Sequence, residues 1–180
     1  FIYFADSKNA PYGTKSKAEV QGLVMAAAEF LLNLQIKALI VACNTATSVA
    51  IDKLRREFSI PIIGMEPAVK PAVERNEKEH KRVIVTATPL TLKEEKLKNL
   101  IERVDNEHIV DLLPMPELVR FAEEDRFNDN SIKQYLLKEF SRFSLSDYGT
   151  VVLGCTHFIF FKKILREILP THIDIIDGNK

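Results

Sequence analysis

Cysteine is scarce in this sequence: Cys43 and Cys155 are the only two in 180 residues. That excludes the disulfide framework of a small secreted domain, and a chain of this length buries a hydrophobic core without such staples. Both cysteines sit in apolar strand-to-turn contexts, which points to free thiols in a reduced, cytoplasmic setting. An excess of charge of one sign is lacking too. The 25 basic and 25 acidic residues balance, so no net field argues for nucleic acid or an anionic membrane as the main partner. Long hydrophobic runs are missing: stretches such as Val24 to Leu32 are interrupted by polar residues and fall well short of the roughly 18 to 20 residues a membrane span requires. No signal-peptide pattern is present. There is no glycine-rich loop of the Rossmann or P-loop kind, which removes the main support for nucleotide binding. No Cys or His pair has close ligand spacing, so no metal site is expected.

What is present is a repeat. Ala38-Leu39-Ile40-Val41-Ala42-Cys43-Asn44-Thr45 and Thr150-Val151-Val152-Leu153-Gly154-Cys155-Thr156-His157 each lead a buried strand into a cysteine and then an amphipathic stretch, with Leu54-Arg55 and Leu165-Arg166 at nearly the same offset. Two related units about a pseudo-two-fold axis would place one thiol on each side of a cleft. That geometry suits removal of a proton on one face and its return on the other.

Periodicity predicts an α/β protein of two pseudo-symmetric three-layer units with mainly parallel sheets and a cleft between them. The first unit covers 1–75 and is continued by 173–180; the second covers 76–172. Phe1 to Phe4 reads as a strand that starts abruptly, as though an element preceded it, and the chain stops on a strand without its covering helix. Ser16 is the expected N-cap of a helix to Leu34, with Glu19 three residues on. Strand Ile36 to Ala42, a helix from Thr45 to Phe58 and strand Ile60 to Gly64 follow. The polar run Glu74 to Lys81 marks the boundary or an exposed helix end. Beyond it come strand Arg82 to Thr86, helix Leu90 to Glu102, strand His108 to Leu112, helices at Glu117 to Asp125 and Ser131 to Phe143, strand Thr150 to Leu153, helix Phe158 to Leu169 and strand Ile173 to Asp177.

Cys43 and Cys155 fall at the carboxyl ends of strands, where α/β sheets bind ligands. Each precedes a helix whose free amides and positive end would stabilise a thiolate and attract a carboxylate. Small buried cysteines also pack at such places without function, and it is the duplicated context that favours chemistry here. Asn44, Thr45, Thr156 and His157 lie just past the thiols and can hydrogen-bond a carboxylate or ammonium, although Asn and Thr also start helices simply as caps. His157 adjoins a thiol and can serve as a proton relay or ammonium partner. Pro11-Tyr12-Gly13 forms a turn that can offer backbone amides and a phenol. Thr88 and Thr91 follow a strand end, either reaching the same crevice or starting a helix after Pro89.

On these residues the sequence resembles the glutamate racemases of the cofactor-independent aspartate/glutamate racemase superfamily. The likeness rests on Pro11-Tyr12-Gly13, Ala42-Cys43-Asn44-Thr45-Ala46-Thr47, Gly64-Met65-Glu66-Pro67-Ala68-Val69-Lys70-Pro71-Ala72, Thr88 with Thr91, and Gly154-Cys155-Thr156-His157. It implies that Cys43 and Cys155 exchange the Cα proton of glutamate, one as thiolate base and the other as thiol acid, in roles set by the enantiomer bound. It implies no cofactor, pyridoxal phosphate included, and a bacterial supply of D-glutamate for peptidoglycan. Substrate contacts fall on Tyr12, Gly13, Asn44, Thr45, Thr88, Thr91, Thr156 and His157. An acidic residue assisting Cys155 through His157 matches Glu123, with Glu124 one position away. A homodimer is common among such proteins.

The resemblance has gaps. The family's opening Asp-Ser-Gly strand has no counterpart, and Asp6-Ser7, just ahead of Pro11-Tyr12-Gly13, does not inherit its aspartate's role. Phe158-Ile159 stands where an aromatic and a proline usually follow the second cysteine. Aspartate racemisation, a non-catalytic fragment or regulatory binding protein, and a reversible disulfide between the two thiols stand as the competing readings.

Overall fold

The computed structural model describes residues 1–178. The first helix, α1 (Lys17–Leu32), begins at Ser16, whose hydroxyl accepts from Glu19 N at 3.2 Å and satisfies one otherwise orphaned amide. It turns Val20, Val24, Ala28 and Leu31 inward at helical spacing. This face packs on α2 (Asn44–Glu57), which contributes Ala46, Val49, Ala50, Ile51 and Leu54 to the same core. Two short parallel strands, β1 (Leu39–Val41) and β2 (Ile62–Gly64), lie beside them, with Leu39 opposite Ile62 and Ile40 opposite Ile63.

The second sheet has four parallel strands: β3 (Arg82–Ala87), β4 (Val110–Pro114), β5 (Tyr148–Leu153) and β6 (Asp174–Asp177), in the order β4-β3-β5-β6. Alternation assigns its two faces. Val83, Val85, Ala87 and Val152 join the core under α3 (Val69–Glu79) and α5 (Glu95–Val104). Ile84, Val151 and Leu153 join the core on the other face, with residues of α6 (Pro116–Glu123), α7 (Asn130–Phe140) and α8 (Lys162–Ile168), and with Phe158 and Phe161. The result is three layers, with β3 and β5 buried on both sides, as expected for parallel strands under helices.

Strand order locates the crevice. From β3 the chain moves to β4 on one side, then crosses back to β5 on the other, so the topology switches between the carboxyl ends of β3 and β5. Short α4 (Pro89–Lys93) starts at the first of these ends and Cys155 follows the second.

Several expectations change. Phe1 to Phe4 forms no strand; these side chains are exposed, and Phe4 rests its ring on Phe30 at 5.7 Å between centroids. The run Glu74 to Lys81 is chiefly the second half of α3, whose Val69, Ala72, Val73 and Asn76 are buried at helical spacing. A boundary after residue 75 therefore falls inside a helix, which His80 closes in the left-handed conformation at φ 51°. β6, assigned above to the first unit, ladders with β5, and ion pairs Arg75–Asp174 and Lys162–Asp177 tie it there. The expected helix from Leu90 splits at Glu94 into α4 and α5. The three-layer description fits the second sheet only, since Ile40 and Ile63 of the first remain 63% and 56% exposed on its open face.

Candidate active site

Cys43 leaves β1 in extended geometry and is the N-cap of α2, its Sγ accepting from Ala46 N at 3.4 Å. Burial raises its thiol above the ordinary value, while hydrogen bonds from the Ala46 and Thr45 amides and the Thr45 side chain oppose that rise. Asn44 and Thr45 occupy the first turn and are buried. Asn44 Nδ2 reaches the Met65 carbonyl at 3.5 Å. Thr47, one turn further, accepts from Met65 N at 3.0 Å and donates to Val41 O at 3.2 Å, joining the exits of β1 and β2. Gly64 belongs to the same joint, because a β-carbon there would lie 2.5 Å from Thr47 Cγ2.

Cys155 leaves β5 in the same extended geometry but starts a 3₁₀ helix, Thr156–Phe161, before α8 begins. The two halves thus differ in the helix that each thiol meets. Gly154 makes the turn possible: its amide donates to Thr86 O at 2.7 Å. His157 Nδ1 lies 3.7 Å from Cys155 Sγ, and His157 Nε2 lies 2.7 Å from Glu123 Oε1. With Glu123 ionised, Nε2 carries the ring proton as a donor and Nδ1 faces the thiol as an acceptor. Glu124 points elsewhere, to Arg120 at 3.2 Å and Arg126 at 3.1 Å. The neighbouring glutamate pair looks alike in sequence and is separated only by where α6 ends.

The Cys155 thiol is pushed up to about 12 from 9.0. Burial is the main cause, the amides of His157 and Phe158 oppose it, and charge on Cys43 and Glu123 adds to it. A thiol whose folded value is raised keeps its proton longer in the folded state. Above its unfolded value the unfolded chain binds fewer protons, so stability is fully present below about pH 9 and is lost as pH rises toward 12. Tyr12, Tyr135 and Tyr148 are shifted in the same direction. Denaturant titrations from pH 8 to 11 should show falling stability, with a shallower fall in Cys155→Ser.

Thr45, Thr88 and Thr91 form a buried triangle of hydroxyls with sides of 3.0, 3.0 and 2.9 Å. Thr88 also caps α4, accepting from Thr91 N at 3.2 Å. Each hydroxyl can donate once and accept once around the ring, so α2 and α4 are joined with their polar groups satisfied. Gly13 lies against this triangle, where a β-carbon would sit 2.4 Å from Thr88 Cβ. The Tyr12–Thr14 turn packs on α2, α4 and α6. Thr156 opens the second turn, half-buried.

The structure thus gathers Tyr12, Gly13, Cys43, Asn44, Thr45, Thr88 and Thr91 around one strand end, and Cys155, Thr156, His157 and Glu123 around the other. Sequence reasoning missed the joint of Thr47 with Gly64 and Met65, although all three lie inside the motifs it named. Among the described residues no group of three or more His, Cys, Asp or Glu side chains is arranged to hold a metal ion, and no helix is long and apolar enough to cross a membrane.

A family model described as Asp/Glu/Hydantoin racemase matches residues 2–180. A protein of Halothermothrix orenii named glutamate racemase is 57% identical over 180 residues, which is 100% of this chain and 70% of that protein. The fold is similar to Escherichia coli glutamate racemase in complex with L-glutamate and the activator UDP-MurNAc-Ala, with a TM-score of 0.81 and 32% identity over 94% of this chain and 64% of that one. Glutamate racemase of Francisella tularensis in complex with D-glutamate also gives a TM-score of 0.81, at 28% identity over 98% of this chain and 65% of that one. With both cysteines at strand ends of the fold those proteins share, and with the family model matching all but the first residue, this chain belongs to the Asp/Glu/hydantoin racemase family.

Proposed function

We propose that this chain interconverts L- and D-glutamate by proton exchange at Cα without a cofactor, with Cys43 and Cys155 as the two acid–base groups and D-glutamate for peptidoglycan as the product that matters. One observation carries the reading: two free thiols each follow the carboxyl end of a parallel strand and each opens a helical turn with free backbone amides. The likeness to glutamate racemases supplies the substrate.

Removing the proton beside a carboxylate leaves a carbanion with no electron sink, so its charge must be stabilised by donors already in place. The α2 amides, with Asn44 and Thr45 beside them, are such donors at the Cys43 end, and the amides of the Thr156–Phe161 turn are such donors at the Cys155 end. Burial favours the protonated form of both thiols. The substrate ammonium is the cation that makes a thiolate beside it affordable. In one direction Cys43 as thiolate takes the Cα proton while Cys155 gives its own to the opposite face, and in the other direction the roles reverse. His157, held through Nε2 by Glu123, presents Nδ1 toward Cys155 for relay of its proton. The two sheets would act as two domains that close over glutamate and exclude water.

The direct test is incubation with L-glutamate in D₂O without added cofactor, following loss of the Hα signal and formation of D-glutamate. No exchange with glutamate, with aspartate or with a longer form of the chain would end the racemase reading. Glu123→Ala should slow steps that use Cys155 by about ten- to a hundredfold, the worth of a hydrogen bond to a charged group. Isotope exchange begun separately from each enantiomer would show whether the loss is confined to that face.

A further inference from the structure

The Tyr12 phenol, a candidate donor to substrate, is already committed. Tyr12 Oη donates to Asp6 Oδ2 at 2.6 Å. Burial, Asp6 and Cys43 together hold this phenol in its protonated form. The Asp6 carboxylate also accepts from Asn9 Nδ2 at 2.8 and 3.0 Å. Its backbone carbonyl accepts from Asn9 N at 3.1 Å and Ala10 N at 3.2 Å. Asp6 therefore organises the loop that leads into Pro11-Tyr12-Gly13 and grips the far end of the Tyr12 side chain. Beyond Tyr12, Gly13 presses on Thr88, and the turn touches the helix capped by Cys43, the helix capped by Thr88 and the helix that ends at Glu123.

We propose that Asp6 is a positioning residue for racemisation: by holding the Tyr12 phenol it fixes the Tyr12–Gly13 backbone at the junction of α2, α4 and α6, and neither Asp6 nor the phenol exchanges a proton with substrate. The proposal rests on the racemase reading above. It gives Asp6 a task separate from the support of a thiol. A half-buried carboxylate with three side-chain hydrogen bonds, two from Asn9 and one from Tyr12, has its acceptor sites engaged in shaping a loop.

Three variants and one double variant separate anchoring from charge. Asp6→Ala removes the acceptor, Tyr12→Phe removes only the donated hydroxyl, and Asp6→Asn keeps an acceptor oxygen while losing the charge. Tyr12→Phe should raise KM for L-glutamate about tenfold, as loss of one charge-assisted bond implies, and Asp6→Ala, which also releases Asn9, should raise it at least as much, with kcat changing less in both. The double variant should be no worse than Asp6→Ala alone, because that change already removes the contact that Tyr12→Phe removes. Asp6→Asn should recover most of the loss, with the pH profile of kcat unchanged. Asp6→Asn as impaired as Asp6→Ala, with a displaced pH profile, would show that the charge matters and would overturn the proposal, as would additive single losses. Amide hydrogen exchange over residues 8–15 in the ligand-free protein gives a readout independent of turnover. It should quicken in Asp6→Ala and Tyr12→Phe but not in Asp6→Asn, and unchanged exchange in the first two would equally sink the anchor. A chain that does not racemise glutamate would remove the function proposed above, while hydrogen exchange would still decide whether Asp6 holds the turn. Tyr12→Phe carries the test should Asp6→Ala fail to fold.

Discussion

Cys43→Ser and Cys155→Ser should each lower glutamate inversion by roughly 10²- to 10⁴-fold, the ordinary worth of a positioned acid–base group. Inversion needs a proton taken from one face of Cα and another delivered to the opposite face, so either loss stops both directions. The two variants differ in what remains. With one thiol left, a proton can still be removed and returned on that thiol's own face. Each single variant should therefore wash deuterium from D₂O into one enantiomer without inverting it, and the two variants should favour opposite enantiomers. Proton magnetic resonance of L- and D-glutamate, begun separately, reads both quantities. Equal loss of wash-in for both enantiomers in both variants would show that the thiols do not divide the faces between them.

Gly154→Ala should be nearly as damaging for a different reason. A β-carbon at this position would lie 2.7 Å from the Thr86 carbonyl oxygen and 3.2 Å from both Ala87 Cβ and Pro67 Cγ. The first of these is backbone of the central strand, which cannot swing aside. Overpacking of this kind costs about 1 to 3 kcal/mol. The strain is relieved most easily by moving the turn, and the next residue is Cys155. Misplacing a reacting group by about 1 Å costs on the order of 10²-fold. Thermal unfolding should show a lowered midpoint, and exchange on the Cys155 face should fall well below that on the Cys43 face. Gly22→Ala, at an exposed helical site where nothing lies within 4 Å of an added β-carbon, is the control that should leave exchange on both faces near that of the parent protein and hold or slightly raise the midpoint.

These expectations rest on features that differ in how plainly the sequence announces them. The strand-to-cysteine turns are local: a buried apolar run, a thiol and a polar helix start within eight residues place Cys43 and Cys155 without knowledge of the rest. Ser16 capping through Glu19 is equally local. Of helix α3 only the exposed end was anticipated, because Pro71 and a dense run of charge from Glu74 to Lys81 mask four buried positions at helical spacing. The strand β6 was placed with the wrong sheet for a related reason, since its partner is chosen by the crossover from α8 and by ion pairs to Arg75 and Lys162, residues 99 and 15 positions away.

By itself the sequence determined the parallel α/β class, the position of both thiols at strand ends, and Asn44, Thr45, Thr156 and His157 just past them, because each follows from periodicity or composition over a short span. Tertiary structure alone decided that Glu123 rather than Glu124 reaches His157, that three threonines close into a buried ring, and that the Tyr12 phenol belongs to Asp6. The first two join side chains across separate elements, with geometry set by how helices end and pack, and the third depends on how the loop before Tyr12 folds back on itself, which no local pattern of residues encodes.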